Sequence, residues 1–223
     1  MVSTDARRLR GRTAIAAAGI AVLLTLAGCA PEADDVPAPQ ASSPNATPDA
    51  TASPQSEPSR SDDPADPGTW VVTDRGIGPV DVGEDYETVL EEVRGAGIGP
   101  LGPQCEGVAY AASEDNTYDV QIVDDRDASS DGVVEVSAHW NGDVMGVGPR
   151  TPEGLGLGST KAEVRSVYED ATERASQIDG RSFVVRGEGE ARIVFEYVDG
   201  NEGAVGVAVI ARAASEPAYE PCA

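Results

Sequence analysis

The chain is 223 residues long and strongly acidic, with 39 Asp and Glu against 16 Lys and Arg, one histidine, three cysteines and a net charge of −23. Such a surface repels nucleic acid and anionic lipid, which excludes DNA and RNA as partners. One histidine and no His/Cys cluster leave too few ligands for a zinc site, so neither a metal nor a cofactor is expected. The first element is a basic segment (Arg7, Arg8, Arg10, Arg12) followed by an apolar run over residues 14–26 and then Gly28 and Cys29. That run has the length of a signal-peptide core, roughly 7–15 residues, and falls short of the roughly 20 needed to span a bilayer.

With Leu26-Ala27-Gly28-Cys29 closing it, this segment resembles a bacterial lipoprotein signal with its lipobox. The resemblance implies a signal peptide over residues 1–28, with Cys29 the first residue after cleavage and the site of lipidation, carrying a thioether-linked diacylglycerol with acyl chains such as palmitate. Two acyl chains anchor stably where one binds only marginally. The implied location is the extracytoplasmic face of the cell membrane. Two other readings compete: an uncleaved signal anchor that leaves Cys29 a thiol, and a twin-arginine export signal at Arg7-Arg8. Arg10 and Gly11 stand where the second reading wants bulky apolar residues. Cleavage would remove four arginines and Asp5, leaving a net charge of −26.

Residues 29–68 read as a lipid-anchored, disordered linker. They are rich in Pro, Ala, Ser, Thr and Asp and have no aromatic residue, so they cannot bury enough apolar surface to offset ordering entropy. As a flexible coil such a segment spans roughly 35 Å. Residues 69–223 read as one domain. Cys105 and Cys222 form an even pair in an exported chain, which reads as a disulfide. A reactive thiol would want basic surroundings, and both cysteines sit in acidic, turn-like sequence.

Within the domain, the first helix is expected at Tyr86–Val93, capped by Asp85, and the second at Lys161–Tyr168, where Thr160 and Glu163 make a capping box. Period-2 segments at 118–123, 132–140, 182–185, 193–197 and 205–210, separated by Gly/Asp/Asn-rich turns, predict antiparallel strands. At an offset of 75 residues Val80 meets Leu155, Val82 meets Leu157, Gly83 meets Gly158 and Asp85 meets Thr160. The layout predicts an α+β domain of two tandem helix-plus-antiparallel-sheet repeats, about 76–140 and 151–212. The alternative is two unrelated helix starts obeying the same capping rules. The pattern of Val82-Gly83 or Leu157-Gly158, then cap and short helix, then strands, is similar to the repeat of the beta-lactamase inhibitory proteins and of the small lipoprotein of the barrel-assembly machinery. This implies a helical pair on a small antiparallel sheet. The single possible disulfide and the scarcity of aromatics depart from the inhibitors, so inhibitory activity is not carried over.

Signals for chemistry are sparse. His139 alternates with Ala138 and Trp140 on a strand and reads as a solvated residue pointing outward. No Gly-x-Ser-x-Gly elbow is present, and Gly154–Lys161 matches neither a P-loop nor a dinucleotide loop. The acidic loop 124–132 lacks the sixth-position glycine and twelfth-position glutamate of an EF-hand, leaving a weak calcium site or a solvated hairpin. The function expected is a non-catalytic binding or accessory module of the cell envelope. It would be held to the membrane by lipid on Cys29 and contact an unidentified envelope protein or polymer. A face bearing Trp70, Tyr110 and Tyr197 would serve that role. The alternatives are a small carboxylate-dependent envelope enzyme using Glu135, Glu196 or Asp124, and a weak cation-binding structural lipoprotein.

Overall fold

Ten strands and two short helices make up the computed structural model, which describes residues 63–125, 132–142 and 144–222. Cys29 and its proposed lipidation, the signal peptide, most of the linker and the middle of the acidic loop lie outside the described residues. The described residues belong to one compact unit, Pro54–Ala223. Strands β1 (Gly76–Ile77) and β2 (Val80–Asp81) form a small hairpin, and helix α1 covers Tyr86–Glu92. Next come β3 (Gly99–Pro100), β4 (Val108–Ala112), β5 (Tyr118–Asp124) and β6 (Val133–Trp140). Helix α2 spans Lys161–Val167, followed by β7 (Thr172–Ala175), β8 (Arg181–Arg186), β9 (Ala191–Val198) and β10 (Gly206–Ala211).

Strands β3 to β10 form one continuous antiparallel sheet of eight, in the order β3-β4-β5-β6-β10-β9-β8-β7. This corrects the expected fold class. Among the described residues the regular structure is mostly β-sheet with two seven-residue α-helices, not an α+β domain of tandem helix-plus-sheet repeats. The physical reason is the pairing of β6 with β10, from Glu135↔Ile210 to His139↔Gly206, which joins all of β3 to β10 through backbone hydrogen bonds into a single sheet.

The helix starts themselves obey the local rules. Asp85 accepts the amide of Thr88, and Thr160 and Glu163 close a reciprocal capping box. Gly83 and Gly158 adopt left-handed φ values of 92° and 83°, which favour glycine. Their amides donate to Val133 O and Ala204 O, tying each helix start to the approach of a central strand.

One face of the sheet is covered by α1, α2 and the β1–β2 hairpin. Strand alternation aims Val120, Ile122, Val136, Ala138, Ile193, Phe195, Tyr197, Val207 and Val209 into that core, where they meet Trp70, Ile77, Val89, Leu157 and Val164. Trp70 is wholly buried, its indole N–H donating to Asp63 O at 2.8 Å, and Tyr197 is 3% exposed. The expected exposed face of Trp70, Tyr110 and Tyr197 is therefore absent, because two of the three are core residues.

The opposite face is crossed by the C-terminal segment 212–222. A disulfide joins Cys105 to Cys222 with Cα atoms 4.8 Å apart. Ala214 packs on an apolar cluster of Phe183, Val185, Val194, Ala208 and Ile210, and Ala218 packs on Cys105, Val108 and Val123.

Candidate functional site

Polar chemistry gathers on that second face. Registers across the sheet align Asp119, His139, Gly206, Glu196 and Phe183 in one row, and Val123, Glu135, Ile210 and Arg192 in another, with Ser137 between them on β6. Alternation put these side chains outward in the sequence. The covering tail makes that face an interior instead.

Glu196 is 7% exposed and accepts a bidentate pair from Arg181, Nε to Oε1 at 2.6 Å and Nη2 to Oε2 at 2.7 Å. The guanidinium also lies under the Tyr219 ring of the tail, 5.0 Å from its centroid. Glu135, 4% exposed, accepts from Ser137 Oγ at 3.0 Å and from the Ala218 amide at 2.7 Å, so a strand carboxylate fastens the tail. Burial pushes the Glu135 pKa up; the Ala218 amide, His139, Ser137 and Arg181 oppose the rise without cancelling it.

His139 sits between carboxylates. Its Nδ1 lies 3.6 Å from Asp119 Oδ1, and Tyr110 donates to the other Asp119 oxygen at 3.3 Å. Burial disfavours the imidazolium, but Asp119, Glu196 and Glu135 outweigh it and raise the histidine pKa. Gly206 makes this approach possible: a Cβ there would stand 3.0 Å from His139 Cδ2 and 3.1 Å from Glu196 Oε2.

The expectation of solvated strand acids is thus corrected for Glu135 and Glu196, and His139 is half-buried beside Asp119 rather than free in solvent. Asp124, at the end of β5, is only partly buried and accepts the Asp125 amide at 2.9 Å. Ser137 is fully buried with its hydroxyl engaged by Glu135. The structure does not join Ser137, His139 and Asp119 into a working relay. Among the described residues no group of three His, Cys, Asp or Glu is placed to hold a metal.

Several concavities lie elsewhere on the described residues. A groove of about 1040 Å³ runs between the Ala65–Gly68 turn, Gly95–Gly97 and the β4–β5 hairpin, with Tyr118 and Arg150 in its wall. Burial, then Asp66 and Asp115, push the Tyr118 phenol up to about 12, so it stays protonated. A smaller pocket of about 300 Å³ is lined by Arg174, Gly187, Glu188, Arg192 and Arg212. This arginine pocket is not legible in the sequence, because its three cations come from β7, from β9 and from the residue after β10.

No family model and no curated protein sequence matches the chain. Among solved structures the chain is similar to a cysteine-rich secretory protein from Staphylococcus aureus subsp. aureus Mu50, at 15% identity and a TM-score of 0.37, over 62% of this chain and 47% of that one. The chain spans about half the length of that protein, and so distant a likeness carries no functional argument. Among the described residues no helix is long and apolar enough to cross a membrane.

Proposed function

We propose that this chain is a lipid-anchored, extracytoplasmic binding module that presents a disulfide-closed antiparallel sheet to an envelope protein or polymer. The anchoring half of the reading is supported by Leu26-Ala27-Gly28-Cys29, and the Cys105–Cys222 bridge suits an oxidising compartment. The observation that carries the binding half is the engagement of the buried carboxylates. Glu196 is spent on Arg181, and Glu135 on Ser137 and the Ala218 amide. These acids hold the tail and the sheet together, a structural task that accounts for their burial. The groove beside residues 65–68 is where the linker joins the domain, a natural place for contact with a surface-bound partner.

Two measurements test this. Cys29→Ala is expected to move the protein out of the detergent-extracted membrane fraction, and wild-type mass without an acyl increment would refute the anchor. Cross-linking in intact cells is expected to trap one specific partner. Hydrolytic turnover by the purified chain that Glu135→Gln or Glu196→Gln abolishes would overturn the binding-module reading.

A further inference from the structure

The arginine pocket departs from the electrostatics of the rest of the chain. At a net charge of −23, five of the ten described Lys and Arg residues are matched to acids: Arg75 to Asp81, Lys161 and Arg165 to Glu173, Arg181 to Glu196, and Arg186 to Asp170. Arg174, Arg192 and Arg212 are not. Among the described residues none of the three has a carboxylate within 4.0 Å.

What holds them is backbone. Arg192 Nη2 donates to Arg212 O at 3.2 Å and to Ala214 O, and Arg212 Nη1 donates to Glu188 O and, at 3.4 Å, to Gly189 O. These carbonyls orient the guanidinium groups without neutralising them. Arg192 Nε is buried with no hydrogen-bond partner among the described residues. A buried, unpaired guanidinium nitrogen is costly, and so is gathering three like charges around about 300 Å³ of space. Burial, then Arg174 and Arg212, accordingly depress the Arg192 pKa.

We propose that this pocket binds a phosphoryl group, with Arg174, Arg192 and Arg212 as its ligands. The planar, fixed fork of a guanidinium matches the oxygens of phosphate, and three of them suit a compact anion with several acceptor oxygens. Glu188, the acid among the lining residues, repels anions and opposes binding. The surrounding acidic surface does the same at longer range, so binding here rests on short-range contact. The assignment is independent of whether Cys29 is acylated.

Calorimetric titration of the full chain in detergent tests it with two probes, inorganic pyrophosphate and the phosphodiester bis(glycero)phosphate, against acetate at equal ionic strength. Saturable binding of a phosphoryl probe, absent for acetate, is expected. It should weaken about tenfold in Arg174→Gln and again in Arg212→Gln. Arg174 is exposed on β7 and supports no other contact of the tail, so its loss should leave the fold intact by circular dichroism. Preference for pyrophosphate would identify a free phosphate as the ligand, and preference for the diester a phosphodiester polymer. Failure of both probes to saturate, or binding untouched by Arg174→Gln, would overturn the proposal.

Discussion

On the helix side of the sheet, Ile77, Ile122, Leu157, Phe195 and Val209 meet as hydrocarbon with nothing to satisfy but volume. Across the same strands, Glu135, Ser137, His139 and Glu196 are covered by a tail, and each is bonded or ion-paired to a named neighbour. The first face is stabilised by area removed from water, which is non-directional and tolerant of exchange between similar shapes. The second depends on partners, where losing one group strands another in a dry place. A sheet can therefore be robust on one side and brittle on the other while sharing every strand.

The largest expected effect tests the cover itself. The bridge between Cys105 and Cys222 closes a long segment, so Cys222→Ser should cost about 4–5 kcal/mol by loop-closure entropy. Urea denaturation measures this, and hydrogen exchange at the Ala218 amide should accelerate in parallel. A stability loss with Ala218 still protected would show that Glu135, not the disulfide, holds the tail.

Next, the two faces should respond differently to rescue. Phe195→Ala leaves a cavity costing about 3–5 kcal/mol that no single neighbouring change repairs. Glu196→Leu should cost about as much by leaving Arg181 buried and unpaired, yet adding Arg181→Met should restore most of the loss. A double variant as unstable as Glu196→Leu alone would place the second face under the same physics as the first.

Gly206→Ala probes the close approach of His139 to Glu196 and should cost about 1–3 kcal/mol through crowding. The smallest effect is a pH slope. The folded state raises the His139 pKa above its ordinary value of about 6.5, so it binds the proton more tightly than the unfolded chain does. That stability is fully present below about pH 6.5 and is lost as pH rises through the folded value, at no more than about 1.4 kcal/mol per pH unit. The raised Glu135 pKa has the same sign. Urea midpoints collected from pH 6 to 8.5 should fall with pH in the wild type and flatten in His139→Gln.

The first face was legible in the sequence, because alternation and capping are local. Val134-Glu135-Val136 and Ile193-Val194-Phe195 announce strands, and Asp85 and Thr160 announce helix starts. Strand β7 escaped because Thr172-Glu173-Arg174-Ala175 is wholly exposed and carries no apolar period. Strand β4 escaped because Ala109 and Ala111 are too small to mark a face, and Trp70 read as a surface aromatic for want of any periodic neighbour. The burial of Glu135 and Glu196 is not a local property. It is created by a tail more than eighty residues from Glu135 in one case, and by a bidentate arginine on a neighbouring strand in the other.

The pairing of β6 with β10 also has a kinetic side. Every other neighbouring pair in the large sheet is consecutive in sequence and joined by a short connection, so it can close early as a hairpin. The seam alone must bring together distant stretches such as Glu135 and Ile210. It bears the largest loop-closure cost of any strand pairing in the large sheet and closes more slowly than the hairpins on either side. Until it forms, β6 and β10 are each unpaired edges rich in valine, the state in which a sheet of this kind is most exposed to pairing with a second copy of itself.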